Sequence, residues 1–210
     1  MRDTIAKRST RRDVRREATR AVVLEAAREV FLSEGYQGAT IKMIADRAHV
    51  SAGTVLNAEP SKAALLMAIM RGHYEGVAET LGNLESALSG RAGDRLAALL
   101  QLMMDAHIRQ IELVSAAIGH SWLVQDEPYQ RAFDSMDFAW EPIRRVLAAG
   151  IEAGEFRRDL DQRAAFGAIV DLFMGSLREC RRADGEDTHT ALSARLALLV
   201  HGMAADASGA

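Results

Sequence analysis

Between Val23 and Lys62, helical periodicity is interrupted at such close intervals that few folds accommodate it. Val23, Leu24, Ala27, Val30 and Phe31 recur at the spacing of one helix face, and Gly35-Tyr36 breaks that helix. Thr40 opens a short helix presenting Ile41, Ile44 and Ala45, and Ala48-His49-Val50 makes a tight turn. Ser51 opens a second short helix with Val55 inward, and Pro60-Ser61-Lys62 stops it. Two short helices joined this tightly make a helix-turn-helix, a unit whose second helix fits the major groove of DNA.

The remainder of the chain reads as helical too. Hydrophobic residues make up 49% of the 210 positions, aromatics 5%, and there are three prolines. Ala, Leu, Arg and Glu dominate and few segments alternate with a period of two, so the expected class is all-α. Cys180 is the sole cysteine and builds no internal disulfide. The first residues are charged, unlike a signal peptide, and no run nears the roughly 20 apolar residues of a membrane span. The expectation is a soluble cytoplasmic protein.

A net charge of −3 conceals an asymmetry. Residues 1–20 hold eight basic and three acidic side chains, a net of +5, which leaves −8 on the other 190. A cationic arm directly before a helix-turn-helix suits phosphates, with an acidic body held away from them. The alternative is a solvated tail.

Residues 1–18 are polar and aperiodic and are expected to be a flexible arm. Helix 1 is expected over about Glu17–Ser33, and Ser61 caps a long helix from Lys62 to about Leu88. Asp94 is an N-cap for a helix over Arg95–Ile118, interrupted near Gly119, and Asp126-Glu127-Pro128 starts another. Pro142 kinks or restarts that helix, and Gly150 and Gly154 end the next piece. Asp159 or Asp161 caps a helix running to about Cys180. The loop Ala183-Asp184-Gly185-Glu186-Asp187 precedes a last helix with Leu192, Leu196, Leu199 and Met203 on one face.

Ala26-Ala27, Phe31, Gly35-Tyr36, Thr40, Ile44-Ala45, Ala48, Val50-Ser51, Gly53-Thr54 and Ser61-Lys62 follow one another without gaps. In this order they resemble the N-terminal domain of the TetR family of transcriptional regulators. A weaker echo lies in Gly150–Leu160. The resemblance implies an arm over 1–18, a helix-turn-helix DNA-binding domain over 19–68, and a larger helical effector-binding and dimerisation domain over 69–210. It further implies a homodimeric repressor that binds a palindromic double-stranded DNA operator. A small hydrophobic or amphipathic effector would release it, and no cofactor is expected.

The chain departs from that family after Gly53-Thr54. Aromatics usual there are replaced by Val55-Leu56-Asn57-Ala58-Glu59-Pro60. Leu56 has no hydroxyl to donate to a phosphate, and Glu59 replaces an apolar packing residue. His49 stands where a turn glycine is usual, which implies a left-handed turn residue.

Thr40 and Lys62 sit at helix N-termini, where a phosphate is attracted, or serve as a plain cap and a solvated lysine. Ser51, Ala52, Thr54 and Asn57 are the candidate reading surface: Asn pairs with adenine, and Ala or the Thr methyl touches thymine. Lys42 is a backbone candidate, and Arg11, Arg12, Arg15 and Arg16 suit the backbone or the minor groove. Met103, Met104, His107, Trp122, Phe138, Trp140, Phe173 and Met174 are candidates to line an effector pocket, with helical core as the alternative. Phe166, Ile169, Phe173, Leu192, Leu196, Leu199 and Met203 are candidates for a four-helix dimer bundle, with core of the single subunit again the alternative.

Catalysis is the rival class, and little supports it. The six histidines form no two-His pair one turn apart, one cysteine makes no thiolate zinc site, and Gly119-His120-Ser121-Trp122-Leu123 lacks the final glycine of a nucleophile elbow. Cys180 lies among Arg178, Arg181 and Arg182, which suits either a sensor thiol or a buried one. A DNA-bound structural or occlusion factor without an effector is the second reading.

Overall fold

The computed structural model describes residues 10–123, 126–182 and 188–205, which form helices joined by short turns. Among them the one extended pairing is an isolated antiparallel bridge between Phe156 and Ala204, as befits an all-α chain. Two compact units emerge, Met1–Arg71 with Ser115–Phe133, and Gly72–Val114 with Asp134–Ala210. The first division falls three residues beyond the expected 68/69 junction, and Ser115–Phe133 clusters with the N-terminal helices rather than with the body. No described helix is long and apolar enough to cross a membrane.

In the first unit, α1 (Arg11–Gly38) begins well before Glu17. Thr10 and Asp13 form a reciprocal capping box, each side chain accepting from the other's backbone N–H, at 3.2 and 2.9 Å. The hydrogen bonds from Thr10, helped by Arg16, hold the Asp13 carboxyl below its ordinary range. Arg11, Arg12, Arg15 and Arg16 therefore stand on a helix; Arg2, Lys7 and Arg8 lie outside the described residues. Val23, Ala26, Ala27, Val30 and Phe31 form the buried face. Gly35, at φ 69°, kinks the helix where a side chain would be strained, and the chain resumes helical geometry to Gly38.

Next come α2 (Ile41–Ala48), capped by Thr40, and α3 (Ala52–Ala58), capped by Ser51. His49 takes the left-handed conformation, φ 54° and ψ 40°. Val50 N donates to Ala45 O at 3.0 Å and His49 N to Asp46 O at 3.3 Å, the bond pair of a Schellman stop. Ile44, Ala45, Ala48 and Val55 close this core against α1. Ser61 Oγ accepts from Ala64 N at 3.0 Å and starts α4 (Lys62–Ala87).

In the second unit, α5 (Ala92–Ile108) has Arg91 at its N-cap without a side-chain bond. Asp94 lies in the first turn and does not cap; Glu155 Oε2, 63 residues on, accepts from Ala92 N at 2.8 Å instead. The helix stops at Arg109-Gln110, where Gln110 N reaches His107 O in a tightened turn, and α6 (Ile111–Leu123) carries Gly119 in its interior. Neither Arg109 nor Gln110 is a helix breaker, so periodicity runs straight through this stop. From Ser115 onward α6 belongs to the first unit, as does α7 (Glu127–Asp134), capped by Asp126, up to Phe133; in the second unit a 3₁₀ turn spans Asp137–Trp140, and Pro142 sits in the first turn of α8 (Glu141–Glu152). Asp161, not Asp159, caps α9 (Gln162–Arg182), and α10 (Thr188–Met203) closes the unit; the expected loop at 183–187 lies outside the described residues. α5 packs against α8, α9 and α10 around Leu96, Leu99, Leu100, Val146, Ile169 and Leu192.

Gly150 does not end α8. It is buried inside the helix, where an added Cβ would lie 2.5 Å from the Phe156 ring and 2.7 Å from Ala92. Gly150→Ala should therefore cost about 1–3 kcal/mol by overpacking. Gly119→Ala, at a helical site with open space, should be neutral or stabilising by up to about 1 kcal/mol. Urea denaturation of the two variants checks the contrast.

Candidate nucleic-acid interface and effector site

The inward side of α3 is occupied by Val55 alone, fully buried; Ser51, Ala52, Gly53, Leu56 and Asn57 are exposed and Thr54 is half-buried. Ser51 Oγ accepts from Thr54 N at 3.0 Å and lies 2.9 Å from Thr54 Oγ1, which holds both hydroxyls at the helix start. Thr40 Oγ1 accepts from Met43 N at 3.2 Å, and Lys42 beside it is exposed. Arg12, Arg15, Arg16 and Thr19 on α1 face Thr54, Asn57 and Ala58 on α3 across an open concavity of about 1210 Å³. Those arginines share one helix face at spacings of three and four. The first unit thus joins a polar, unpacked helix face to a cationic wall.

Lys62 does something else. Its ammonium donates to the carbonyls of Tyr36 (2.7 Å), Ala39 (3.1 Å) and Gln37 (3.3 Å), and lies 4.7 Å from the centre of the Tyr36 ring. Three donors are directed at the carbonyls that end α1, so the side chain is not a solvated lysine.

Glu59, the acidic departure, is matched by Arg20, whose Nε and Nη2 donate to Glu59 Oε1 at 3.0 and 2.6 Å. The carboxylate is only 16% exposed. Its charge is neutralised within the unit, and it fastens the end of α3 to α1 where an apolar contact was expected. Tyr36 meets Phe31 edge to face at 5.4 Å and the His120 ring of α6 at 5.8 Å, while His120 meets Tyr129 at a tilt of 56° with centroids 4.3 Å apart. These pairs bring Ser115–Phe133 into the first unit. Nothing in the local sequence marks Tyr36, Arg20 or His120 as partners so distant along the chain.

In the second unit, Met103, Met104, His107 and Phe173 are fully buried and Trp140 nearly so, while Met174 is half-buried. The rings of His107 and Trp140 each meet Phe173 edge-on at 5.3 Å. His73 and Tyr74 of α4, absent from the expected set, complete the cluster at 5.2 and 5.4 Å from His107. Trp122 and Phe138 do not join it: Trp122 is 71% exposed on the first unit, and Phe138 is exposed on the 3₁₀ turn. Burial, then the neighbouring His73, lowers the His107 pKa from 6.5 to about 4, and burial pushes the Tyr74 phenol up to about 12. An adjoining groove of about 330 Å³ is lined by Gly72, His73, Gly76, Leu102, Ala106 and Arg109.

Most of the expected dimer residues belong to the core of their own subunit. Ile169, Phe173, Leu192, Leu196 and Met203 are buried because that stripe of α9 and α10 faces the rest of the unit. Phe166 and Leu199 keep partial exposure, and Phe166 lies under the Arg144 guanidinium at 4.2 Å. Cys180 is a buried thiol.

Residues 23–69, from the buried face of α1 into α4, match the model of the bacterial regulatory proteins of the tetR family. The chain is 25% identical over 187 residues to the HTH-type transcriptional repressor KstR2 of Rhodococcus jostii, covering 88% of this chain and 91% of that one. It is 27% identical to Thermus thermophilus FadR, a TetR-family transcriptional repressor solved with lauroyl-CoA, with a TM-score of 0.72 over 91% of this chain and 98% of that one. The match to the tetR family's regulatory domain spans the helix-turn-helix, and the two repressors extend the likeness over most of the chain. Bacillus subtilis FadR, solved with stearoyl-CoA, shares the fold at 21% identity, with a TM-score of 0.69 over 87% of this chain and 98% of that one. The helix-turn-helix and the polar face of α3 lie within the matched residues.

Lys62→Met should lower the melting temperature by several degrees, because ion–dipole hydrogen bonds worth roughly 1.5–3 kcal/mol each disappear. Once binding is measured well below that melting temperature, the salt dependence of DNA binding should keep its wild-type slope. A slope reduced by about 0.9 would instead make Lys62 a phosphate ligand. The second expectation concerns pH. The unfolded chain protonates His107 below about pH 6.5, whereas the folded chain resists until about 4, so stability is lost as pH falls through that window. The loss should approach about 3 kcal/mol, and His107→Phe should remove it in urea titrations at stepped pH.

Proposed function

We propose that this protein is a homodimeric transcriptional repressor that grips a palindromic operator and lets go when an acyl-thioester effector binds its second unit. The observation that carries this reading is the exposed polar face of α3 opposite the arginines of α1, set in a helix-turn-helix of a regulator family. Ser51, Ala52, Thr54 and Asn57 read the major groove. Arg12, Arg15 and Arg16 follow the phosphates, with Arg11, Lys42 and the Thr40 helix start beside them. The first unit is then the DNA-reading head, and the second takes the effector and dimerises.

The acyl-CoA class is supported by the two relatives solved with lauroyl-CoA and stearoyl-CoA. It is further supported by the groove beside the His107 cluster, apolar along Leu102 and Ala106 with exposed Arg109 on its lining. A hydrocarbon chain suits the methionines and rings, and an anionic headgroup suits Arg109. Dimerisation through α9 and α10 uses the faces left after core packing, where Leu198 is 75% exposed, together with Phe166 and Leu199.

Selection of bound DNA from a random pool should enrich a palindrome with half-sites about one helical turn or slightly more apart. Lauroyl-CoA should release it. Replacing Arg12, Arg15 and Arg16 by Ala should flatten the log–log salt slope by about 0.9 for each phosphate no longer neutralised. No enriched sequence at low salt would overturn the regulator reading, and enrichment unmoved by any acyl-CoA would favour an occlusion factor.

A further inference from the structure

His107 has a chemical peculiarity that core packing leaves unexplained. Its Nδ1 lies 2.8 Å from the carbonyl oxygen of Met103, which only accepts, so Nδ1 carries the proton. The ring is neutral near pH 7, because burial opposes its charging. Nε2 is therefore a bare acceptor. It is buried, and among the described residues nothing donates to it. Such an orphan is costly relative to a satisfied group, because its desolvation is not repaid.

The surroundings suit an organic occupant. Tyr74, Phe173 and His73 present ring edges to His107 at 5.2–5.4 Å, and Met103 and Met104 are buried on the same helix. Methionines repack at low cost. Gly72 and Gly76, one turn apart, open one line along α4, and the groove beside them includes His73, one ring from His107. A partly apolar groove beside a buried, unsatisfied acceptor has the composition of a specificity site.

We propose that His107 Nε2 is the specificity determinant of the effector site, and that the natural effector carries a hydroxyl or amide N–H on its apolar portion to satisfy it. A plain hydrocarbon chain leaves the acceptor orphaned; a chain with a donor at the right depth does not. This rests on the effector reading above and narrows it from acyl thioesters in general to donor-bearing ones. A site built around a polar group discriminates against analogues lacking the partner far more strongly than an apolar pocket discriminates by size.

The test compares lauroyl-CoA with a series of hydroxylauroyl-CoA isomers, the hydroxyl placed at successive positions, by calorimetry and by release of operator DNA from the full-length protein. At least one isomer should bind wild type tenfold or more tighter than lauroyl-CoA, and His107→Phe should erase that gain while still binding lauroyl-CoA. Nitrogen NMR of the imidazoles should show Nε2 of His107 without a proton in the free protein and shifted by the preferred isomer. If lauroyl-CoA binds and no isomer improves on it, this inference is wrong and the effector reading stands. If no thioester binds at all, both fall. The His107→Phe protein should melt no lower than wild type at neutral pH, since an apolar ring replaces an unsatisfied one. A clear loss of stability there would mean that Nε2 serves the fold, and would also overturn the proposal.

Discussion

The ammonium of Lys62 holds the first unit together. A helix end leaves carbonyls without partners, and α1 ends beside a glycine kink, so it needs an external donor. Lys62 supplies one from the first residue of α4 and thereby fastens the start of that helix to the end of α1. The short helices α2 and α3 are confined between those points, and neither would be stable alone at eight and seven residues. Their order comes from Ile44, Ala45, Ala48 and Val55 packed against Phe31 and its neighbours. That core lets the other face of α3 remain polar and unpacked. Arg20 and Glu59 add a second fastening, so the acidic residue that looks hostile to DNA is already neutralised.

The second unit works by a different constraint. Its helices approach closely where side chains are small, at Gly150 against Phe156 and at Gly93 against Val200. Elsewhere the core is built from Leu and Met, which fill space without directional demands. The His107 ring is the exception, a polar group kept neutral by burial among aromatic edges. A fold that only needed to be stable would place a hydrocarbon there.

Helix starts and stops were legible because their chemistry is local. Thr40, Ser51 and Asp161 cap as their residue types suggest, and His49 takes the left-handed turn that its position demands. Long-range partners were not legible. Lys62 reaches carbonyls about 25 positions away, Arg20 finds Glu59 across 39, and Glu155 caps α5 across 63. Periodicity says that Leu192, Leu196 and Met203 share a face but not whether that face meets its own subunit or a copy, and here it meets its own. His73 and His107 lie on different helices, so no spacing rule could pair them. The arginines of the N-terminal segment read as a mobile arm because charge hides a helix without an apolar stripe, yet Thr10 and Asp13 spell a capping box.

The central claim is that α3 and the basic start of α1 together form the surface that meets DNA. Hydrogen exchange with and without the selected operator tests it most directly, because it reads every backbone amide without altering the chain. New protection should concentrate in residues 11–20 and 51–58, with the second unit changed little. Protection confined to the second unit, or absent from both segments while DNA is bound, would contradict the account.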